Sequence, residues 1–392
     1  MATTKPVLIS GAGIASLLLA QSLRLSNIPF RIFERDSSFI FRAQGYRLRL
    51  STEGLDAIES VLDAATWQKF WDLCGKTAGA GFAAYEAVSG VQTEHKVPEG
   101  LSSREGKTIG IARGDMRKVF ADGCEDHIEW SRNVTGYELT TDGVRAIFSD
   151  GTKSVEGSML VGGEGIYSKV AKQLSGGKLK VYDTGARGIH GQAPTTAFKG
   201  LGEGVFRLRD DSRGPGRAVF LITNVRPGEM DDPNVNFGWT MGGEPGTVSV
   251  PNDDYSLIGK PAADIAKDLT KDWHPKFKPL FEEMIEEDAA FWKITCSTPS
   301  GVPEWKNEPR VTVIGDAVHS MTPAAGIGAN TAVRDSALLG KLLREAGGHA
   351  DGVTAAYEKE MRVYGSEAVN ISYTMAVGQF GIKIDEEKSL TV

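Results

Sequence analysis

The apolar positions of the chain change rhythm several times, and each change marks an element. The run VLIS, residues 7–10, is apolar up to its last residue and stops at Gly11; after it, GIASLLLAQSLRLSN carries apolar residues at helical spacing. Strand, tight turn and helix are predicted. IPFRIFERD supplies a second strand ending at Glu34, completing a βαβ-type unit of roughly thirty residues. STEGLDAIESVL is again helical, with Ser51 placed to cap it. Between Thr77 and Gly100 the Gly- and Ala-rich AGAGFAAYEAVSG predicts a hairpin, and IARGDMRKVFADGC restores a helical period. From His127 to Gly163, short alternating runs split by TDG and SDGT turns predict a meander feeding the strand SMLVGGEG.

Beyond Gly176 the texture changes. From about Lys180 to Asp254, glycine, proline and alternation of the kind in PNVNFGWTMGG predict a separate antiparallel sheet. AADIAKDLTKDW and PLFEEMIEEDAAFW read as amphipathic helices, PRVTVIGD as a strand buried on both faces, and VTAAYEKEMRVYGSEAVNISYTMAVGQF as a closing helical region.

A chain of 392 residues exceeds what one core organises well, since single cores stop growing at roughly 250–300 residues, so two lobes are expected. A net charge of −7 argues against an extended phosphate-neutralising surface, and nucleic acid is not an expected partner. The three cysteines, Cys74, Cys124 and Cys296, lie far apart without a CxxC, which suggests neither zinc nor a disulfide framework and fits a reducing cytoplasm. No run of about 20 apolar residues occurs, so no membrane span is expected. The opening MATTKPVLISGAGIASLLLA is interrupted by glycines and reads as the first strand and helix rather than a signal peptide.

Two motifs carry chemistry. In ISGAGIAS, Gly11, Gly13 and Ser16 occupy the positions of a GxGxxG fingerprint, with serine at the third; the glycines permit a tight turn and close approach of a pyrophosphate to a helix N-terminus. Glu34, about 20 residues on, stands where an acid accepts hydrogen bonds from ribose hydroxyls. NAD and FAD both use this arrangement. The second motif, VIGDAVHSMTPAAGIGAN, places Asp316 at a strand end where it can hold a polyol hydroxyl. Its amides around Gly326 to Asn330 open a helix whose positive end suits a group that becomes anionic, such as a reduced flavin.

Together these motifs resemble the FAD-dependent aromatic hydroxylases, the class A flavoprotein monooxygenases typified by para-hydroxybenzoate hydroxylase, and most strongly the fungal secondary-metabolite members. The resemblance runs from Val7 to about Ser366: GAGIAS resembles the dinucleotide fingerprint, LVGGEGIYSKV the middle motif, GDAVHSMTPAAGIGAN the GD motif and flavin loop, and RGDMRKVF the start of the helix that reaches the cofactor. It implies a mixed α/β fold with a glutathione-reductase-type Rossmann FAD-binding domain (1–76, 102–178 and 296–345), an inserted antiparallel-sheet substrate domain (77–101 and 179–295) and a C-terminal helical region (346–392). It implies FAD as cofactor, NADPH or NADH as electron donor, and O2 as co-substrate. A flavin C4a-hydroperoxide would hydroxylate or epoxidise a small cyclic, largely apolar metabolite, in a monomer or homodimer.

The same resemblance assigns the cofactor to Gly11, Gly13, Ile14, Ala15, Glu34, Arg35, Arg47, Arg113, Asp316, Pro323, Gly326, Gly328, Ala329 and Asn330. No catalytic side chain is assigned, because the flavin carries the chemistry. His319 is expected to pack beneath the loop rather than act as a base. Arg187, Phe237, Trp239 and Pro323 are candidates for the substrate pocket, with Arg207 a further polar contact; Phe237 and Trp239 suit sheet core equally well. Two departures stand out: Glu164 replaces the middle motif's usual aspartate, and Ile327 stands where glutamine is common. An FAD-dependent oxidase or dehydrogenase without oxygen transfer remains an alternative. An NAD-binding regulatory module would leave the second motif unexplained, and a flavin halogenase would need a WxWxIP that is missing.

Overall fold

The glycine turn after Ser10 starts a five-stranded parallel sheet in the computed structural model, which describes residues 5–39, 47–78, 82–95, 103–249 and 257–392. Its strands are β1 (Val7–Ser10), β2 (Phe30–Phe33), β8 (Ile128–Glu129), β11 (Met159–Gly162) and β17 (Val311–Val313), in the order β17-β11-β1-β2-β8. β1, β11 and β17 are buried along their whole length, as apolar runs covered on both faces must be. The segment 101–102, where the sequence set a domain join, lies outside the described residues.

Helix α1 (Ile14–Leu25) returns the chain from β1 to β2, and α9 (Gly328–Ala346) crosses it closely. A side chain at Gly340 would strike Ser22, and the Ser336 hydroxyl donates to the Ala15 carbonyl at 2.7 Å, so the small residues set this crossing. Beside it lies a three-stranded antiparallel sheet, β3 (Arg47–Leu50), β7 (Lys107–Ala112) and β4 (Gly75–Ala78), ordered β3-β7-β4. Helices α2 (Thr52–Val61) and α3 (Ala64–Leu73) join β3 to β4. Ser51 and Asp63 cap them by accepting from the Gly54 and Thr66 amides at 3.1 and 2.8 Å. Helix α4 (Arg113–Ala121) follows β7, the pair β9 (Val134–Leu139) and β10 (Val144–Phe148) forms the meander, and α5 (Lys169–Leu174) follows β11.

The second core is built on a seven-stranded sheet ordered β16-β12-β15-β14-β13-β5-β6. Its strands are β16 (Ala290–Ser297), β12 (Val181–Pro194), β15 (Asn236–Gly243), β14 (Val219–Val225), β13 (Gly204–Asp210), β5 (Phe82–Glu86) and β6 (Gln92–His95). All neighbours are antiparallel except β13 with β5. One face carries Phe206, Leu208, Leu221, Phe237, Trp239 and Met241 against α6 (Lys260–Thr270) and α7 (Pro279–Glu282). The segment PLFEEMIEEDAAFW is not one helix: α7 ends at Glu282, and β16 begins at Ala290, because Phe291 enters this core while Trp292 turns to the other face with period two. Helices α8 (Asp316–His319) and α10 (Val353–Phe380) complete the chain, α10 packing on α9 and on the turn Pro323–Ala325. Among the described residues no helix is long and apolar enough to cross a membrane.

Candidate functional site

The N-terminal ends of α1 and α9 lie close together, with Gly315 between them: a Cβ there would be 3.4 Å from the Ala15 Cβ and 3.6 Å from the Ala332 Cβ. Gly13 caps α1 without a side-chain bond, and the first helical bond runs from the Leu17 amide to the Gly13 carbonyl; the amides of Ile14, Ala15 and Ser16 therefore precede any helical acceptor. At α9 the first bond is Thr331 to Ile327, so the amides of Gly328, Ala329 and Asn330 stand in the same position. Neither helix has an acidic residue in its first turn, so the positive ends of both are left for another negative group.

The turn before α1 is fixed from three sides. Gly11 has φ +88°, and a Cβ there would lie 2.7 Å from the Gly163 carbonyl. Glu34, 7% exposed, accepts the Ala12 amide at 2.7 Å on Oε2 and the Asp36 amide at 2.9 Å on Oε1, so its carboxylate lies against the turn at the end of β2. Arg117 donates through Nε and Nη2 to the Ala12 carbonyl at 3.2 and 3.1 Å. Sequence reasoning missed Arg117; the signal was its position four residues after Arg113, on the same helix face. Arg35 is exposed and pairs loosely with Asp36 at 3.9 Å.

Serine at the third fingerprint position has a structural counterpart. A Cβ on Gly163 would strike the Ser16 hydroxyl, so the space released at one residue is taken up by the other. Gly163→Ala is expected to cost about 1–3 kcal/mol by overpacking. Ser16→Gly in the same chain should recover most of that loss, as read by denaturant unfolding of the single and double variants.

At the second motif, Gly315 (φ +62°) turns β17 into α8. The Asp316 side chain is solvent-accessible, although protein surrounds it closely enough to act on its charge. Its pKa is raised by burial, against the pull of His319 and Arg113. Pro323 and Gly326 are exposed, and a Cβ at Gly326 would meet nothing. Asn330 is 3% exposed and its side chain is committed to protein: Oδ1 accepts the Ser51 amide at 2.8 Å, and Nδ2 donates to the Arg49 and Gly326 carbonyls at 3.1 and 3.2 Å. Only its backbone is left for a ligand.

Beneath the loop, one buried carboxylate gathers three donors. Asp335 accepts the Gly315 amide at 2.6 Å and His319 Nε2 at 2.8 Å on Oδ2, and the Tyr364 hydroxyl at 2.6 Å on Oδ1. His319 and Asp335 are fully buried, in keeping with a packing role for the histidine. Burial lowers the His319 pKa and Asp335 raises it, and the carboxylate prevails, leaving the pKa above its ordinary value. Stability from this pair is then complete below the unfolded-state value of about 6.5 and fades as pH rises through the folded-state value. Wild-type protein should lose more melting temperature than His319→Gln on going from mildly acidic to alkaline buffer.

Arg113 opens α4 and acts electrostatically on both Asp316 and His190. Arg47 donates to the Gly110 carbonyl at 2.7 Å; burial, then the neighbouring Arg226, lower its pKa to about 10. Glu164 turns inward and accepts the Val170 amide at 3.1 Å, bracing the start of α5, and burial raises its pKa despite that bond. The three cysteines are buried, unpaired thiols whose pKa burial pushes up to about 12.

Three of the residues expected at the substrate pocket have partners within the protein. Phe237 and Trp239 lie on the helix-facing side of the sheet: Trp239 Nε1 donates to the Leu280 carbonyl at 3.1 Å, and Phe237 meets Phe198 edge-on. Arg187 is 8% exposed and forks onto Asp183 at 2.7 and 3.0 Å, in an ion pair joined by Lys293. The cleft side of β15 carries Gly238, Thr240 and Gly242 instead.

Comparison with known proteins gives the chain a family. Residues 4–372 match the FAD binding domain family. The chain is 30% identical over 97% of its length to the dual O-methyltransferase/FAD-dependent monooxygenase elcB of Phaeosphaeria nodorum, of which it covers 47%, so it spans about half of that relative. It is 26% identical to the FAD-dependent monooxygenase thnD of Trichoderma harzianum, covering 86% of this chain and 82% of the relative. Among solved structures, a FAD-containing monooxygenase from Photorhabdus luminescens superposes with a TM-score of 0.76 at 26% identity, covering 96% and 99% of the two chains. A match that takes in most of the sequence decides membership: the chain belongs to the FAD binding domain family, beside the aromatic-hydroxylase-like flavin monooxygenases.

Proposed function

We propose that the protein is a FAD-dependent monooxygenase that uses NADPH or NADH and O2 to hydroxylate or epoxidise a small cyclic, largely apolar metabolite in secondary-metabolite biosynthesis. The observation that carries this reading is the close approach of the α1 and α9 N-termini at Gly315, with Glu34 against the turn before α1 and Asp316 at the start of α8. That donor set fits FAD: unpaired amides suit a pyrophosphate and an electron-rich flavin edge, and the two carboxylates suit ribose and ribityl hydroxyls.

The bound flavin supplies electron storage, O2 activation and oxygen transfer. The chain's own residues bind, orient and exclude water. Gly11 and Gly13 admit the pyrophosphate to the amides of Ile14 and Ala15, and Glu34 holds the adenosine ribose. Arg35, Arg47 and Arg113 supply positive charge along the cofactor, and Asp316 holds its polyol chain. The Gly326 turn and the amides of Gly328, Ala329 and Asn330 face the flavin, while Pro323 stiffens the loop. In this reading the chain divides into a discontinuous cofactor domain and an inserted substrate domain, a division that the separate apolar cores support. The fungal relative that joins oxygenation to O-methylation supports a hydroxylated product.

The test is turnover of candidate metabolites by flavin-loaded protein with NADPH or NADH under labelled O2. Label in the product is expected. Flavin reduced by substrate alone, with no label incorporated, would mean an oxidase or dehydrogenase on the same fold.

A further inference from the structure

The seven-stranded sheet has two unlike faces. Toward the helices lies the row Ile189, Met241, Leu221 and Leu208, each fully buried. One residue along each strand, the row His190, Thr240, Ile222 and Arg207 turns the other way. Ile222 is 46% exposed although β14 is the middle strand of the seven, so this row faces open space rather than a packed core.

Two aromatic residues flank the row. Side chains at Gly188 and Gly242 would strike the Trp292 indole and the Phe220 ring, so those glycines let both aromatics lie flat on the sheet. Phe220 stacks on Phe380 of α10 at 4.3 Å, and Trp292 packs in the same cluster as Ala324, next to Pro323. The flavin loop and this floor therefore border one space.

His190 is the chemically distinctive member of the row. Its ring stacks on Trp292, with centroids 4.9 Å apart and planes 14° from parallel, and Nδ1 shares a hydrogen bond with Thr240 Oγ1 at 3.0 Å. Those contacts fix the plane and rotation of the ring. Nε2 is the ring nitrogen farther from the backbone, on the face of the sheet opposite Ile189. Burial, helped by Arg113, pushes its pKa down to about 3, so the imidazole stays neutral across physiological pH.

We propose that His190, locked by Thr240 and Trp292, receives a hydroxyl group of the substrate on Nε2 and so sets how the substrate lies over Ile222. With Nδ1–H donating to Thr240 Oγ1, Nε2 is an acceptor, and no proton has to leave the substrate. An arriving hydroxyl takes Nε2 over from any partner it has beforehand. The proposal rests on the monooxygenase reading and adds to it the side chain that orients the substrate.

The experiment titrates flavin-loaded protein with α-naphthol and with its methyl ether, following the perturbation of the flavin absorbance. Wild type should prefer the naphthol. His190→Leu should lose about tenfold or more of naphthol affinity, the usual range for one hydrogen bond in a buried site, and change ether affinity less than about twofold. His190→Gln should recover part of the preference, and Thr240→Val should weaken it by releasing the tautomer. A His190→Leu protein that binds naphthol like wild type, or loses both probes equally, overturns the proposal, as does flavin-loaded wild type that treats the probes alike. Wild type without flavin is a different failure, since it overturns the monooxygenase reading itself.

Discussion

Asp335→Ala is expected to destabilise the protein by about 3–5 kcal/mol, the range for breaking a buried ion pair from one side. The substitution leaves the buried His319 ring and Gly315 amide and the part-buried Tyr364 hydroxyl without their acceptor. These three donors come from the GD turn, α8 and α10, so the loss also loosens the geometry that presents Asp316 and the start of α9. Thermal unfolding should show the loss of stability, and FAD titration of the protein that remains folded should show weakened binding. Tyr364→Phe, which removes one donor and leaves the ion pair intact, should cost much less, about 1 kcal/mol.

Gly11→Val is expected to yield protein without bound flavin. The residue needs φ +88°, which a β-branched side chain strongly disfavours, and any Cβ meets the Gly163 carbonyl at 2.7 Å. Relief requires β1 and β11 to separate at their ends, where Gly11 and Gly163 approach and the α1 N-terminus is aimed. Flavin content after purification measures this directly. Gly326→Ala is the informative contrast: its φ of +63° makes alanine strained, but its Cβ would meet nothing, so the fold should hold.

What could be read from the sequence was whatever is encoded within a few residues. The glycine turn, Glu34 at the end of β2, the Ser51 cap and the GD turn each join a strand or helix end to its neighbour, and spacing alone locates them. The closing helix was legible because its 28 residues contain no break. The substrate side was not. Alternation in NFGWTM announces two faces but not which one meets the helices, and the cleft side of β15 is made of glycines and a threonine, which look inert in sequence. His190 and Thr240 are fifty residues apart, and His319, Asp335 and Tyr364 come from three separate elements, so neither grouping leaves a local pattern. Arg117 and the Asn330 side chain act through the protein's own backbone; the spacing from Arg113 puts Arg117 on the same helix face, but the carbonyl it binds shows only when the turn is in place.

The central claim is that one FAD spans the two helix N-termini, with its adenosine end at Glu34 and its flavin end at Asp316. The most direct test is FAD affinity, together with competition by ADP, in wild type, Glu34→Ala and Asp316→Ala. Both variants should bind FAD about tenfold or more weakly, but only Glu34→Ala should weaken ADP. Unchanged FAD affinity in both variants, or an equal loss of ADP binding in both, would contradict the account.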